Sequence, residues 1–209
     1  MANNGEFVGI SDLYVGGVKT DTPEVYEADP PVLIAPTASI AQEPSVSTKT
    51  RYYSNHPYAV SSTEGETKVT IVIPGVDIET GAGLIGKTYD KAKKRLIDSG
   101  KATVAYKALS FRADVDGGKK YYQYLKGLFA PFKEEAETQT NDIAEKTMTL
   151  EYTAICTTFS GFKIPDLEGV GYHADVAKRM VADSREDSTL TEAGWFAKVQ
   201  TPDIMTTTP

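Results

Sequence analysis

The chain is poor in the residues that build disulfides and metal sites. Cys156 is its single cysteine, so no internal disulfide can form and a cysteine-rich zinc site is excluded. Its 2 histidines, His56 and His173, lie far apart, without a nearby His, Cys or paired carboxylate at ligand spacing. We therefore expect both histidines to be surface or loop residues, and the sequence gives a metal site little support.

Three further absences bear on location and chemistry. No apolar run is long enough to cross a bilayer, which predicts a soluble protein with no membrane partner. The first residues, Met1–Glu6, lack the positive and apolar regions of a secretory signal, so we expect a protein made and kept in a cytoplasm. No nucleophile, base and orienting group can be assembled from the sequence, which predicts that the chain is not an enzyme.

A glycine-rich string, Gly81–Gly86, matches the G-x-G-x-x-G pattern of dinucleotide-binding turns. That pattern binds a cofactor only when it lies tightly between a parallel strand and a long helix. Here Pro74–Thr80 separates it from the preceding apolar run, and Lys87–Tyr89 follows in place of a long amphipathic helix. We interpret the glycines as the end of a short helix and as sites of close packing, and we predict no cofactor.

Alternating apolar and polar residues predict that strands dominate the fold. In Lys146–Thr158, apolar residues that include Cys156 alternate with polar residues, mostly threonines, which predicts a half-buried strand with the thiol in the core. Short apolar runs bounded by Gly or Pro predict further strands at Leu13–Val15, Leu33–Ala35 and Val69–Ile73. The predicted fold class is mainly β.

A hairpin is predicted where two aromatic-rich segments, Ala102–Ala113 and Lys119–Phe132, flank the turn-forming residues Asp114–Gly118. Asp114 and Asp116 lack the further oxygen ligands of a calcium loop, so a turn explains them. Both faces of the second arm are apolar, and such a strand needs cover on both sides. By alternation, one face carries Tyr121, Leu125 and Phe129, and the other carries Tyr122, Tyr124, Leu128 and Phe132.

Helices are predicted to be few and short. Asp77 as N-cap and Gly86 as stop predict one between them. Helix propensity favours a second over Asp90–Gly100, and Ala174–Ala182 has the pattern of a third.

The segment Thr37–Glu66 is dense in Ser, Thr, Pro and Gly and has few aliphatic residues. This composition predicts a long excursion from the sheet, such as an extended hairpin or arm. Nearer the end of the chain, Trp195 and Phe196 predict a local anchor, and Thr206–Pro209 predicts a frayed end.

The net charge of −7 is unevenly distributed. Met1–Glu66 holds 9 acidic and 3 basic residues, whereas Lys87–Phe132 holds 4 acidic and 11 basic ones. Such blocks can neutralise each other within one fold or pair between identical copies. The densest basic cluster has no neighbouring aromatic residues for base stacking, which favours a solvated or subunit-facing run over a nucleic-acid site. It consists of Lys91, Lys93, Lys94 and Arg95.

Several short sequence segments stand out by their order along the chain. They are FVGISDLYV at Phe7–Val15, LIGKTYD at Leu84–Asp90, ALSFRA at Ala108–Ala113 and KKYYQYLKGLFAP at Lys119–Pro131. In this order they resemble the phrases V-G-x-x-x-L-Y-V, L-L-G-x-T-Y-D, G-F-R and Y-x-x-x-Y-K-G-x-F-A-P of the major tail tube proteins of siphophages that infect Gram-positive bacteria.

The resemblance continues after the hairpin. Glu134–Asp142 follows where that family places an acidic loop, and Leu150–Ala154 is similar to its L-E-G-T-A strand, with Tyr152 in place of the glycine. In all, the resemblance covers most of Phe7–Phe162.

The resemblance implies a tail-tube-type β-sandwich or barrel with one short helix, a long arm and a C-terminal extension. The tail tube β-domain is assigned to residues 1–162. Residues 163–209 are longer than the family pattern, and we assign them to a C-terminal extension with the short helix and flexible end predicted above. Subunits of this kind form hexameric rings that stack into the tail tube of the virion, assembled in the host cytoplasm. The implied partners are other copies of the chain, the tape-measure protein, the tail terminator and the distal tail proteins. Double-stranded DNA would pass through the lumen without specific binding.

Candidate contact residues between subunits lie in the predicted arm and in the basic cluster. An alternative stays open, in which the chain is a monomeric β-sandwich that binds a ligand or carbohydrate in a surface pocket. The candidates are Arg51, Tyr52, Tyr53, Lys91, Lys93, Lys94 and Arg95.

Overall fold

A computed structural model describes residues 6–100, 103–132, 147–203 and 205. The fold is mainly β, as predicted. The acidic segment Glu134–Asp142 and the end Thr206–Pro209 lie outside the described residues.

The strands are β1 Phe7–Asp21, β2 Tyr26–Ala28, β3 Val32–Ala35, β4 Ser39–Tyr53, β5 His56–Ile73, β6 Thr88–Asp90, β7 Arg95–Ile97, β8 Lys107–Val115, β9 Gly118–Phe129, β10 Met148–Ile155, β11 Phe162–Pro165, β12 Tyr172–Asp175 and β13 Arg179–Asp183. The helices are α1 Ile78–Ile85 and α2 Glu192–Phe196.

One antiparallel sheet of 9 strands organises the molecule. Its order is β2-β1-β8-β9-β10-β5-β4, with β3 also paired to β1 and β13 also paired to β9. In a flat sheet, β3 and β4 would lie about 29 Å apart at about 4.8 Å per strand spacing. The chain between Ala35 and Ser39 spans at most about 14 Å, so the sheet must curl until its two ends approach each other. The result is an open barrel.

The interior of the barrel is one hydrophobic cluster drawn from β1, β3, β5, β8, β9, β10 and α1. Phe111 and Tyr122 stack there with ring centroids 4.8 Å apart, and Tyr152 packs against Phe129 at 5.0 Å. Each large side chain buried in this way contributes roughly 1.5–3 kcal/mol to folding. The short runs predicted at Leu13–Val15 and Val69–Ile73 are the buried parts of two much longer strands, β1 and β5.

β9 is covered on both faces, as the sequence predicts. Tyr122 and Tyr124 point into the barrel, whereas Tyr121 and Leu125 belong to clusters on its outer side. The predicted face of Phe129 is wrong, because this ring lies inside the barrel. The pairing of β8 with β9 shifts register between the pairs Leu109–Tyr124 and Lys107–Gly127, and one extra residue at this bulge reverses the alternation.

The chain after β10 covers the outer side of β8 and β9. Phe162 packs with Leu125 and Phe159, and the Phe196 ring of α2 stacks on Tyr14 at 3.9 Å. Trp195 and Phe196 are therefore the local anchor that the sequence predicts. The helix predicted at Ala174–Ala182 is wrong. Most of this segment forms β12 and β13, because the edge of β9 beyond the end of β10 supplies backbone partners for β13.

The predicted caps of α1 are confirmed. The Asp77 carboxylate accepts the Thr80 backbone N–H at 3.0 Å, and Gly86 ends the helix in the left-handed region at φ 69°. The helix predicted over Asp90–Gly100 is wrong. The Asp90 carboxylate accepts the amides of Ala92 and Lys93, and this turn folds the segment into the small β6–β7 hairpin instead.

The strand predicted in Lys146–Thr158 is present as β10, but the predicted burial of Cys156 is wrong. The strand ends at Ile155, and Thr157 is the residue that turns inward. The Thr157 hydroxyl donates to the Phe159 carbonyl at 3.0 Å and accepts the Ala177 amide at 3.2 Å. These bonds satisfy a polar side chain in the interior and leave the thiol exposed.

Candidate assembly surfaces

The segment predicted as an arm is an extended hairpin built from β4 and β5. After Pro44 on β4 and before Thr67 on β5, these strands pair only with each other among the described residues. Residues Glu43–Glu66 are exposed, except for the half-buried Thr50. At 3.3 Å per residue this part, which we call the arm, projects about 30 Å.

The arm is ordered by its own turn. Tyr53 pairs with His56, and the two residues between them, Ser54 and Asn55, both have positive φ values of 51° and 63°. Two such residues form the type I′ turn, whose twist suits a β-hairpin. The Tyr53 and Tyr58 rings meet edge to face at 5.2 Å beside the turn.

The arm has one apolar face. Side chains alternate along a strand, and the register places Thr50 opposite Val60 and Val46 opposite Glu64. By this alternation Val46, Tyr52 and Val60 share one face, and each is between 58% and 66% exposed. The register shifts between Arg51 and Tyr52, and the Tyr58 ring contacts Tyr53 on the opposite face, which also carries Lys49 and Arg51. This pattern is that of a ribbon that covers its apolar face against another surface.

The root of the arm is held by basic residues next to β13. Lys178 donates to the Glu64 carboxylate and to the Gly65 carbonyl, the latter at 3.0 Å. Arg179 approaches Gln42 at 3.5 Å, and Gln42 also accepts the Tyr124 hydroxyl at 2.6 Å. These contacts fix where the arm leaves the barrel without covering it.

Three of the predicted contact residues, Arg51, Tyr52 and Tyr53, lie together near the tip of the arm and are exposed. Tyr58 and Val60 on the returning strand are exposed as well, although neither is among the predicted contact residues. The available signal was the alternation in PYAVS after His56, which was hidden by the polar composition around it.

The basic cluster lies elsewhere, on the β6–β7 hairpin beyond the opposite end of β5. Lys91 pairs with Glu79 of α1 at 2.8 Å, and this hydrogen bond raises the pKa of Lys91. Arg95 approaches Asp90 at 3.6 Å. Lys93 and Lys94 form no ion pair with other described residues. The structure therefore does not bring the cluster together with Arg51, Tyr52 and Tyr53.

A cavity of about 520 Å³ lies between α1, the β6–β7 hairpin and the ends of β9 and β10. We call it the α1 cavity. Its apolar wall includes Ile85, Leu96, Phe132 and Met148, and Lys94 lies on its border. Gly81, from the G-x-G-x-x-G string, packs closely against Phe132, since a Cβ at this position would lie 3.1 Å from that ring, so the glycine serves packing as predicted.

A second cleft, of about 460 Å³, lies where the two ends of the sheet approach each other. Phe7–Ile10 of β1 borders it on one side, and Ala38–Ile40 with Gln42 borders it on the other. Among the described residues, this part of β1 pairs only with β8, and this part of β4 pairs only with β5. Both strands therefore present open edges, which can accept a further strand.

A buried ion pair ties the barrel to the C-terminal cover. Lys126 bonds Asp21 at 2.5 Å, and their side chains are 9% and 4% exposed. Asp21 also accepts the backbone amides of Thr158 and Phe159 at 2.8 and 3.0 Å. Burial alone would raise the pKa of Asp21, but these hydrogen bonds outweigh it and lower the pKa. The pair also joins the acidic and basic blocks of the sequence inside one fold.

The residues considered as possible metal or calcium ligands lie in three separate parts of the fold. His56 is exposed at the arm, and exposed His173 bonds Asp166 at 2.8 Å. In the described part of the chain, no cluster of His, Cys, Asp and Glu has the arrangement of a metal site. Asp116 lies in the β8–β9 turn, as predicted, whereas Asp114 belongs to β8 and pairs with Lys119 of β9. No helix in the described ranges has the length and apolar character needed to cross a membrane.

No protein-family model matches the chain. A search of curated proteins also finds no match.

Proposed function

We propose that the chain is a structural subunit that polymerises into the tail tube of a long-tailed phage, through stacked hexameric rings. The resemblance of its ordered phrases to tail tube proteins motivates the proposal. In this role the chain needs no catalysis and no cofactor. Its partners are further copies of itself, the tape-measure protein, the tail terminator and the distal tail proteins, and DNA passes through the lumen.

The observation that carries this proposal is the arm. An isolated two-stranded hairpin is marginally stable in water, and burial of an apolar face against a partner stabilises it. The uncovered side chains of Val46, Tyr52 and Val60 supply such a face. In a subunit that polymerises, a neighbouring copy covers them, and the roughly 30 Å length of the arm lets it reach across a subunit boundary.

The open sheet edges support the same role. Natural monomers usually block exposed edges, because unpaired backbone groups invite a strand from another chain. Here Phe7–Ile10 and Ser39–Gln42 leave two edges open beside one cleft. Neighbouring copies that pair at these edges would continue the sheet around a ring.

Electron microscopy of concentrated protein tests the proposal directly. We expect hollow tubes of uniform width in negative stain. A variant with Val46→Thr, Tyr52→Ser and Val60→Thr should stay monomeric at the same concentration, because it removes the apolar face without touching the barrel. The matched control is Ser47→Thr with Ser61→Thr on the opposite face, which should still form tubes. Protein that stays monomeric at every concentration would overturn the proposal.

The cleft between the ends of the sheet favours a second candidate, a monomeric ligand-binding module. Its lining includes Ile10, Ile40 and Phe111, and its volume lies within the ordinary range of ligand pockets. Light scattering coupled to size exclusion separates the two candidates, since a binding module stays monomeric as its concentration rises.

A further inference from the structure

A second exposed apolar feature lies at the tip of the β11–β12 hairpin. Leu167 is fully exposed and Val170 is 87% exposed. We call residues 166–171 the knob. Its shape is fixed by two backbone bonds, from the Asp166 amide to the Gly171 carbonyl at 2.9 Å and from the Gly169 amide to the Asp166 carbonyl at 2.8 Å. A preorganised loop loses little entropy when it binds.

The stem beneath the knob is also braced. The Lys163 ammonium group lies 4.4 Å from the centre of the Tyr172 ring, and His173 bonds Asp166 at 2.8 Å. The knob is therefore an apolar tip, flanked by the carboxylates of Asp166 and Glu168, on a supported hairpin.

The α1 cavity has the complementary character. Its wall is apolar at Ile85, Leu96 and Phe132, and Lys94 lies on its border. Neither Lys94 nor Glu168 forms an ion pair with another described residue. A cavity of about 520 Å³ is wide enough for the side chains of a loop tip.

The knob does not fill the α1 cavity of its own chain, because Leu167 is fully exposed. The two features also lie apart. The root of the knob hairpin, Phe162, packs with Leu125, whereas the cavity is lined by Phe132, about 23 Å further along the strand direction at 3.3 Å per residue. A contact between different patches of identical chains is heterologous, and it closes into a ring or continues as an open stack.

We propose that the knob of one copy inserts Leu167 into the α1 cavity of the next copy, with Glu168 facing Lys94. This contact is head-to-tail and repeats from copy to copy. It gives the basic cluster a role that the arm does not supply, and it assigns a function to the C-terminal segment. The inference rests on the proposed self-assembly, of which it names one interface.

Disulfide cross-linking between differently tagged chains tests this contact. Both chains carry Cys156→Ser, because the exposed native thiol would otherwise react. One chain carries Leu167→Cys, and the other carries Ile78→Cys on the 59% exposed rim of the cavity. Under assembly conditions, mild oxidation should give a mixed dimer. A mixture of Leu167→Cys with Ser188→Cys, an exposed turn residue outside the cavity, should give little.

A charge exchange tests the orientation. Glu168→Lys alone and Lys94→Glu alone should each weaken polymerisation about fivefold to tenfold at low salt, the range expected for one exposed ion pair replaced by repulsion. The double variant should recover most of the loss. Leu167→Asp should weaken polymerisation more than either charge reversal, since it places a carboxylate against an apolar wall.

The outcomes separate this inference from the proposed function. A mixed dimer together with recovery by the double variant supports the knob contact. Tubes that form without the mixed dimer, or losses that add in the double variant, overturn the knob contact and leave self-assembly standing. A chain that remains monomeric overturns both.

Discussion

The barrel and the arm are both built from antiparallel strands, yet they differ in what covers them. β9 is buried on both faces, between the barrel interior and the C-terminal cover. The arm has similar β-forming residues, with Tyr and Val on one face, but every residue of Glu43–Glu66 except Thr50 is exposed. Strand formation therefore does not depend on burial within this chain, whereas stability does. The barrel provides the folding energy, and in the proposed assembly a neighbouring copy covers the arm.

The largest expected difference between the two regions concerns their ion pairs. Asp21→Asn leaves the Lys126 ammonium buried without its counterion, which should cost about 3–5 kcal/mol of unfolding free energy. The matched change at the root of the arm is Glu64→Gln, which removes the partner of Lys178 at a site where the carboxylate is 57% exposed. It should cost at most about 1 kcal/mol. Urea unfolding measures both, and equal losses would show that the Asp21 pair is not a core element.

Acid should destabilise the barrel by protonating the carboxylates of its ion pairs. The pKa of Asp21 is lowered in the folded state, and that of Asp183, bonded to Arg185, falls to about 2. A lowered folded pKa gives stability that is present above the unfolded pKa, near 3.8, and is lost as the pH falls towards the folded value. We expect the thermal midpoint to fall steeply between about pH 4 and pH 2. Asp21→Asn should fall less over this window.

Two glycines give the next largest contrast. A Cβ at Gly127 would clash with the Tyr152 ring and with the Thr153 carbonyl oxygen, whereas a Cβ at Gly65 would meet the Ser45 side chain at an ordinary 3.7 Å. Gly127→Ala should therefore cost about 1–3 kcal/mol or more, since the core has no room to adjust. Gly65→Ala should lie within about 0.5 kcal/mol of the wild type. Equal losses for the two substitutions would contradict the contrast between a packed barrel and an uncovered arm.

The contrast also explains what the sequence could predict. Signals that act over a few residues succeeded, such as the Asp77 and Gly86 caps of α1 and the turn between β8 and β9. Failures arose where distant residues decide. Ala174–Ala182 favours a helix locally, but β13 finds backbone partners on β9. Phe129 lies on the face opposite to the predicted one, because the pairing of β9 with β8 contains a bulge.

Surfaces were predictable only in part. Thr37–Glu66 was recognised as an arm by its composition, and Arg51, Tyr52 and Tyr53 do lie near its tip. The knob was not recognised, because isolated apolar residues such as Leu167 and Val170 resemble any loop until their exposure is known. The α1 cavity joins residues from four parts of the chain, and no local pattern in the sequence brings them together.

Hydrogen exchange tests whether the arm depends on a partner for cover. We expect this dependence to have little effect on the stability of the monomer. In the monomer, amides of Val46–Val60 should exchange with low protection, because local opening of an uncovered hairpin costs little. In the polymer the same amides should become protected, while those of β9 should change little. Equal protection of the arm in monomer and polymer would contradict the proposed cover.

The smallest effect on monomer stability is expected at the basic cluster. Reversing Lys91, Lys93, Lys94 and Arg95 to Glu changes exposed side chains, each worth at most about 1 kcal/mol and screened beyond about 8 Å at physiological salt. Pairs with Glu79 and Asp90 already neutralise part of the cluster within the chain. The remaining charge can guide the approach of an acidic surface on another copy, and steering of this kind affects association rates more than final affinity.

We therefore expect the reversed chain to polymerise more slowly than the wild type at low salt, as followed by light scattering, and the two rates to converge at high salt. Replacement of the same four residues by Ser is the matched control, because it removes attraction without adding repulsion and should give an intermediate rate. Equal rates for all three chains at low salt would mean that the basic block only neutralises acidic groups of its own chain. In that case the arm and the other apolar contacts alone would direct assembly.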